Sequence, residues 1–565
     1  RGGLMGAPGG GAGPGGSWRS DVRRILRLGW PQSVNLIITF LPGLGMLFFL
    51  GADPDHTAAA GMGFMFTNVA GFSLIVGSGA GAQPLISQAF GAGSLRRCGD
   101  LLQRQLAMHA ALCGCIALVW LSTERILLAL KQPPGIAQLA GQFVQWRVAA
   151  LPALAVREDL SNYLVAQRVT MFPMLLSVAA GVLNMAAFAA LIPRMGFVGA
   201  PLAYTVANVA QAVVLWLFAR CALADGDTWP QWSVREALSG WGEMLALALP
   251  GGVLMLCEWW GWETNLFFAG LLCDPRGNGG GEHGCTQLDA FPVLANTMVL
   301  GFMPAFGLNV TAGALIGNAL GANDPATARR LSRCALCLSA AISGSLAAAL
   351  VAVRESWGEL FSDDAEIAAL TARAMPTIAA YIFLDSLGPG ALVSILRAMS
   401  VVRLPAAINF VAFYVIGIPF GLVLAFGLPG QGWGIIGLWS GLVLGMLVMV
   451  CSLLLYLWLG VGWAEVAEAA HAQAGGKAGE EGADLEERAG SGGPAAKANL
   501  ESKCGPAALA PTPRTKAHVR RQRGATGKRP SYRLVVEPGG GAAVGAGSPS
   551  GEGPLPGAVF AAQGA

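Results

Sequence analysis

The sequence predicts an all-α integral membrane protein with twelve transmembrane helices, arranged as two six-helix repeats. Three observations support this: the composition, a series of apolar segments, and an internal repeat. Of the 565 residues, 54% are hydrophobic and only 12% are charged, whereas about a quarter of the residues of a soluble domain are charged. About 20 consecutive apolar residues in a helix span the hydrocarbon core of a bilayer. The composition therefore excludes a soluble globular chain.

The apolar segments follow one another from residue 28 to residue 461. They lie at residues 28–51, 58–82, 103–122, 138–157, 171–193, 197–219, 243–273, 287–317, 331–353, 370–395, 404–427 and 433–461. We assign residues 21–220 to an N-terminal lobe, 221–242 to a cytoplasmic linker and 243–462 to a C-terminal lobe. The chain starts with a Gly- and Pro-rich stretch, so residues 1–20 are expected to be a disordered tail.

The second group of six segments repeats the first. Ile86–Gly93 matches Ile316–Asn323, and each stretch is followed by a pair of arginines. Gly196–Gly199 and Gly434–Gly437 match in the same way. Six segments per copy give both copies one orientation, as in transporters built from parallel repeats. Gly91 and Gly321 are predicted to end their helices and turn the chain.

The distribution of Lys and Arg between loops predicts that both termini are cytoplasmic. Loops after even-numbered segments are assigned Arg96, Arg97, Arg104, Arg157, Arg168, Arg220, Arg235, Arg329, Arg330, Arg333, Arg397 and Arg403. The opposite loops are assigned Arg125, Lys131, Arg147, Arg194, Arg276, Arg354 and Arg373. The loop between Cys273 and Cys285 then faces outward or into a vacuole, where an oxidising environment would allow these cysteines to pair.

The composition changes after Gly462 and becomes polar and low in complexity. We therefore expect residues 463–565 to form a disordered cytoplasmic tail. Its basic stretch, Arg514–Arg523, is typical of a solvated tail or of contact with anionic lipid. No folded scaffold accompanies these charges, so nucleic-acid binding is not expected.

The seventh segment carries two acids near its middle, Glu258 and Glu263. An acid at this depth is costly, and it normally faces a partner or a water-filled cavity. At about 100° per residue the two side chains lie about 140° apart, whereas Trp262 shares the face of Glu258 and can stack on an organic cation. The alternative is a pair of helix-end glutamates beside interfacial tryptophans.

Several motifs together indicate a family. They are Leu28–Pro31, Met65–Gly71, Ile86–Gly93, Glu258–Glu263, Gly317–Asn323 and Gly437–Gly441. The sequence resembles the multidrug and toxic compound extrusion (MATE) family, and its plant and animal branch in particular, over about residues 20–460. The resemblance implies two six-helix lobes around a central cavity. It also implies exchange of organic cations or secondary metabolites for protons, or for Na⁺ as in some bacterial branches.

By this resemblance, Glu258 and Glu263 fall on the acidic positions of the family's seventh helix. Asp385 lies near the acid of the tenth helix, and Gln83 stands where many relatives carry an acid. Asn68 and Gln83 are candidates to orient a proton or a substrate. Their alternative role is hydrogen bonding between helices, worth about 1 kcal/mol.

The sequence therefore predicts a MATE-type secondary antiporter that exports organic cations, xenobiotics or secondary metabolites in exchange for protons, with Na⁺ as the alternative coupling ion. The alternative function is a flippase for lipids or lipid-linked precursors on a related two-lobe fold. No enzymatic activity, cofactor or metal site is expected, because the five histidines are dispersed and no ATP-binding loop is present. The expected partners are a small organic cation or metabolite and the bilayer of a plasma or vacuolar membrane, and the protein is expected to be a monomer.

Overall fold

The computed structural model describes residues 17–51, 54–223, 228–272, 286–361, 364–427 and 432–475. All of them belong to one compact unit, Arg1–Asp484, and a second unit, Leu485–Ala565, lies outside the described residues. The regular secondary structure of the described residues is entirely helical. The proposed pairing of Cys273 with Cys285 also falls outside them.

The helices of the N-terminal half share a pattern of long apolar helices joined by short turns. They are α1 (Trp18–Leu50), α2 (Pro54–Thr67), α3 (Ser73–Ser78), α4 (Gln83–Gly91), α5 (Leu95–Leu121), α6 (Thr123–Ala129), α7 (Pro134–Val148), α8 (Leu151–Ala166), α9 (Met171–Met195) and α10 (Gly199–Leu223). A short helix, α11 (Val234–Ala237), lies in the predicted linker.

The C-terminal half repeats this pattern. Its helices are α12 (Trp241–Leu271), α13 (Thr286–Gly321), α14 (Pro325–Ala352), α15 (Arg354–Glu359), α16 (Ala365–Asp385), α17 (Val393–Ala398), α18 (Arg403–Phe410), α19 (Ile418–Phe426) and α20 (Ile435–Leu459).

The predicted all-α membrane fold is confirmed, and the number of spans stays a prediction. Among the described residues, 10 segments are long and apolar enough to cross a membrane. One of them, Met171–Leu223, contains both α9 and α10, which separate at Gly196, where φ is 62°. The fourth predicted span corresponds to α7 and α8, of 15 and 16 residues. Neither alone has the length of about 20 residues that a straight crossing needs.

In the part of the chain that the structure describes, three segments of π-helix interrupt the long helices: Asn68–Phe72, Ser386–Leu392 and Val411–Gly417. The first lies between α2 and α3, and a 3₁₀ turn, Gly79–Gly81, then separates α3 from α4. The second follows Asp385 directly. Such irregular turns are frequent at functional sites because they leave backbone groups outside the regular ladder.

The two repeated motifs pack against each other where α4 crosses α13. A Cβ atom added to Gly91 would lie 2.0 Å from the carbonyl oxygen of Asn318, and one added to Gly321 would lie 1.9 Å from that of Gln88. The backbones therefore meet at a distance that only glycine permits. The prediction that Gly91 and Gly321 end their helices is confirmed.

The amide side chains of the two motifs make equivalent contacts. Gln88 Nε2 donates to the carbonyl oxygen of Ala398 over 2.9 Å. Asn318, with its amide turned to satisfy its neighbours, donates to the carbonyl oxygen of Ser87 over 2.7 Å and accepts from Arg168 Nε over 3.2 Å. Each motif thus contacts the opposite repeated motif and, through its amide side chain, a residue at or beside a turn.

The predicted tails are shorter than expected. Helix α1 begins at Trp18, within the predicted N-terminal tail, because Ser17 caps it. Residues 463–475 are also helical and bury Ala467 and Ala470. The prediction of disorder is wrong for these residues, because small side chains repeating on one helix face pack against the bundle, a pattern that average composition does not reveal.

The helix at 463–475 contacts both halves of the chain. His471 Nδ1 lies 2.7 Å from the carbonyl oxygen of Gly321, at the end of α13. Gln473 Nε2 and Arg97 Nη2 each donate to Glu243 Oε1 over 2.9 Å. The remaining tail and the predicted lobe boundaries stay predictions.

We expect Gly91→Ala or Gly321→Ala to lower the free energy of unfolding by about 1–3 kcal/mol, the usual cost of overpacking a well-packed contact. The added methyl group would meet a backbone carbonyl that cannot move independently. Gly114→Ala on α5 is the matched control, because no atom lies within 4 Å of its added Cβ. Thermal unfolding of the purified protein measures the difference, and three equal melting temperatures would contradict this account of the crossing.

Candidate functional site

Two acids and one arginine meet in the C-terminal half. Glu258 lies in the middle of α12 and is 9% exposed, and Asp385, the last residue of α16, is 2% exposed. The charge of Glu258 interacts with those of Asp385 and Arg397, which belongs to α17. Burial of two carboxylates beside one guanidinium leaves the cluster one positive charge short of neutrality when both acids are ionised.

The aromatic neighbours of this cluster are fixed by hydrogen bonding. Trp262 Nε1 donates to the hydroxyl oxygen of Tyr381 over 2.8 Å. Tyr381 is fully buried, and its ring packs edge-on against Trp439 with centroids 5.6 Å apart. Trp262 is therefore held in one orientation close to both acids, since Tyr381 also interacts electrostatically with Glu258 and Asp385.

Glu263 lies outside this cluster. It is half-buried, and no hydrogen bond or ion pair joins it to another group in the described part of the chain. This position agrees with the angular separation from Glu258 expected for five residues of helix. The two glutamates therefore occupy different environments, one enclosed by partners and one partly open.

Gln83, the first residue of α4, lines a small cavity together with Arg397. The cavity has a volume of about 30 Å³ and is lined by Gln83, Phe306, Pro389 and Arg397, among others. This is about the volume of one water molecule, too small for an organic cation. Gln83 therefore connects the N-terminal half to Arg397 across a space that fits a solvent molecule.

Asn68 lies apart from these residues. It is the first residue of the π-helix Asn68–Phe72 and is half-buried. Among the residues that the structure describes, no hydrogen bond or ion pair joins Asn68 to Glu258, Asp385 or Gln83. The structure thus brings together Glu258, Asp385 and Trp262, and it places Gln83 at a cavity that Arg397 also lines, whereas Asn68 and Glu263 lie outside this group.

Arg397 was assigned to a loop by the sequence, and this assignment is wrong. The predicted span ended at residue 395, whereas the helical segment Ala365–Ala398 includes Arg397. Because the predicted end of the span was a few residues too early, the sequence analysis placed this charged side chain in a loop instead of in the helix. The signal available in the sequence was the continuation of the apolar run on both sides of the arginine.

Arg147 and Arg157 were also assigned to loops and are buried in α7 and α8. The guanidinium of Arg147 lies 4.3 Å from the centroid of Tyr204 and donates to Thr67 Oγ1 over 2.6 Å. That of Arg157 lies 5.9 Å from the centroid of Phe72. The rings offset part of the loss of hydration through cation–π attraction, which loop counting cannot anticipate.

Comparisons with known proteins agree with this architecture. The MatE family model matches residues 33–188 and 281–423. Multidrug and toxin extrusion protein 2 of Mus musculus is 30% identical over 467 residues, covering 81% of this chain and 78% of the relative. Protein DETOXIFICATION 51 of Arabidopsis thaliana is 30% identical over 431 residues, covering 75% of this chain and 78% of the relative.

Solved structures support the fold. The crystal structure of the eukaryotic MATE transporter AtDTX14 superposes with a TM-score of 0.74 at 23% identity. The match covers 81% of this chain and 99% of that chain. Another similar structure is the outward-facing conformation of a MATE family transporter of the MOP superfamily, with a TM-score of 0.68 at 18% identity.

We expect Arg397→Gln to lower the free energy of unfolding by about 3–5 kcal/mol, because removal of one partner leaves buried charge uncompensated. Arg354→Gln is the control, because Arg354 forms an exposed pair with Glu355 at 3.9 Å and contributes little. Thermal unfolding of both variants tests this, and equal melting temperatures would contradict the role of Arg397.

Proposed function

Because the chain belongs to the multidrug and toxin extrusion (MATE) family, we propose that it is a secondary antiporter that exports organic cations, xenobiotics or secondary metabolites in exchange for protons. As a member of this family it is a multidrug and toxin efflux transporter of the membrane and not an enzyme. The observation that carries the proposal is the pair of buried acids, Glu258 and Asp385, whose charges interact, with one arginine that interacts with Glu258.

The charge of this cluster suggests how exchange works. Two ionised carboxylates and one guanidinium carry a net negative charge, and an uncompensated charge in a low-dielectric interior is costly. One further positive charge neutralises the cluster, and either a proton or an organic cation supplies it. The two ligands compete, and each favours the conformation that binds it better, which is the requirement for antiport.

Glu263 and Trp262 support the binding of an organic cation beside this cluster. Glu263 is half-buried, so a cation that enters from water meets a carboxylate before it is fully desolvated. Trp262 lies one residue before Glu263, and its ring is fixed by Tyr381. A preorganised aromatic ring loses little freedom on binding and attracts cations through its face. Gln83 and Asn68 remain candidates to orient the ligands.

Protons suit the site better than Na⁺. The charge of Arg397 already interacts with that of Glu258, so a Na⁺ ion that must gather several oxygen ligands at Glu258 meets repulsion there. A proton forms a covalent O–H bond and removes the charge of one acid. Coupling to Na⁺ is the alternative, and transport measured under separate pH and Na⁺ gradients distinguishes the two.

The flippase alternative requires basic groups available to a phosphate headgroup. Arg397 faces Glu258, and Arg147 is surrounded by Phe64, Phe143 and Tyr204. These arginines are already compensated by their neighbours, which favours a cation as the substrate. We therefore keep the antiporter as the proposal.

The remaining parts of the proposal concern location and partners. We propose a monomer in the plasma or vacuolar membrane, with both termini cytoplasmic and no cofactor or nucleic-acid partner. The excess of basic residues on the predicted cytoplasmic side remains after Arg147, Arg157 and Arg397 are removed from the count.

The coupling ion is tested by transport of ethidium, a fluorescent organic cation, into proteoliposomes. We expect accumulation in acid-inside vesicles at equal Na⁺, because outward proton flow drives inward movement of the cation. Vesicles without protein and vesicles whose pH gradient is collapsed by nigericin serve as controls. Accumulation driven by a Na⁺ gradient alone, without a response to the pH gradient, would overturn proton coupling.

Glutamine substitution tests the site. We expect Glu258→Gln and Glu263→Gln each to reduce gradient-driven transport at least tenfold, since the amide keeps the shape but neither exchanges a proton nor attracts a cation. Glu355→Gln is the matched control, because that side chain is 86% exposed. Equal expression and melting temperature show that the variants fold, and a double variant that transports at the wild-type rate would reject the site.

A further inference from the structure

A second pair of ionisable side chains is buried in the N-terminal half, away from the acid cluster of the C-terminal half. His109 on α5 and Asp159 on α8 each expose 1% of their side chains. His109 Nδ1 lies 2.9 Å from Asp159 Oδ1 and 3.0 Å from Oδ2. Ionisable residues inside a membrane are costly and usually take part in function, including proton relays.

The second ring nitrogen of His109 contacts two groups that can adapt to either protonation state. Nε2 lies 2.8 Å from Gln105 Nε2 and 2.7 Å from Ser78 Oγ. The amide nitrogen of Gln105 can only donate, so it matches a neutral ring. Gln105 Oε1 is buried without a hydrogen-bond partner among the described residues. Rotation of the amide by 180° would turn this oxygen toward Nε2, so that two donors no longer face each other when the ring is protonated.

Ser78 links the protonation state of the imidazole to the backbone. Its hydroxyl group has one hydrogen and lies 2.6 Å from the carbonyl oxygen of Leu74 as well as near His109. A neutral ring takes that hydrogen at Nε2. A protonated ring donates to Ser78 Oγ, so the hydroxyl hydrogen turns to Leu74. One proton on the ring therefore changes a hydrogen bond within α3.

The position of Ser78 gives this change a structural consequence. Ser78 is the last residue of α3, directly before the 3₁₀ turn Gly79–Gly81 that leads into α4. Helix α4 carries Gln88 and Gly91, which contact α13 at the crossing of the two halves. A helix interrupted at this point changes direction at lower cost than a continuous one.

In the described residues, the groups that contact or interact with the imidazole come from α3, α5 and α8. Helix α8 contributes the carboxylates of Asp159 and Glu158. Helix α3 contributes Ser78, which does not titrate in this range. On α5 itself, Cys113 interacts with Asp159. The charged groups that interact with the imidazole are thus carboxylates.

We propose that His109 and Asp159 form a second proton-binding site, whose occupancy sets the hydrogen bonding of Ser78 and through it the direction of α4 at the crossing. The proton comes from water, binds at Nε2 of the imidazole and leaves by the same bond, with no other reactant. This goes beyond the proposed exchange at Glu258 and Asp385, and its first test does not depend on that exchange.

The first test observes the proton directly. Nuclear magnetic resonance of side-chain ¹⁵N-histidine in lipid nanodiscs follows each imidazole between pH 4.5 and 8.5. His109→Gln identifies the resonances of His109 by difference, and His56→Gln does the same for a control histidine. We expect Nε2 of His109 to gain a proton within this range, and Asp159→Asn to reduce its protonated fraction at pH 6 at least threefold. A ring that keeps one protonation state throughout would overturn the proposal.

The second test concerns the link to α4. We expect His109→Gln and Ser78→Ala to flatten the dependence of ethidium transport on pH, whereas His56→Gln keeps the wild-type profile. Ser78→Ala should retain the titration of His109, which separates loss of the link from loss of the site. If His109 titrates but both variants keep the wild-type dependence of transport on pH, the proposed link between His109 and α4 is rejected. If transport proves to be driven by Na⁺, the exchange proposal fails, and the resonance titration still decides this one.

Discussion

The contact between α4 and α13 constrains the rest of the structure. In a bilayer the lipid tails are as apolar as the side chains, so helices associate through close packing and hydrogen bonds and not through the hydrophobic effect. Gly91 and Gly321 let two backbones touch, and the amide of Gln88 fixes the turn after α17. The same α13 lies against α1, where Ser33 Oγ donates to the carbonyl oxygen of Pro304 over 2.7 Å. One helix therefore holds both halves in register.

Buried charge is compensated in three different ways in this chain. The charge of Glu258 interacts with those of Arg397 and Asp385, His109 pairs with Asp159, and Arg147 lies among aromatic rings. The first two arrangements contain carboxylates and an imidazole, which are able to gain or lose a proton, whereas a guanidinium keeps its charge. The chemistry of the site thus follows from which partner each charge has, and not from burial alone.

The sequence predicted the elements that depend on local pattern. The repeat located both helix ends at Gly91 and Gly321, because a glycine before a turn is a local signal. Glu258 and Asp385 were identified as candidate proton- and substrate-binding residues. Both are buried, as expected for such a site, and the site itself stays a prediction. The number of spans was less secure, since a helix that breaks between α7 and α8 has the same composition as a continuous one.

Contacts between distant segments were beyond sequence reasoning. His109 and Asp159 are 50 residues apart and belong to different helices, so no periodicity joins them. Tyr381 and Trp262 are 119 residues apart, and their hydrogen bond joins α16 to α12. The dispersion of the histidines in the sequence correctly indicated that the protein is not an enzyme. The same reasoning treated His109 as isolated and missed its partner, Asp159.

Both proposed proton sites lie at interruptions of a helix, and this shared position has a physical reason. Asp385 precedes the π-helix Ser386–Leu392, and Ser78 precedes a 3₁₀ turn. A regular α-helix satisfies its own backbone groups and resists bending, whereas an interrupted one depends on side chains: Asn309 Nδ2 from α13 donates to the carbonyl oxygen of Ser386 over 3.3 Å. A change of charge beside such a break alters hydrogen bonds that hold the helix direction. Beside a continuous helix the same change would alter only the electrostatic energy, so the position of the break converts proton binding into movement.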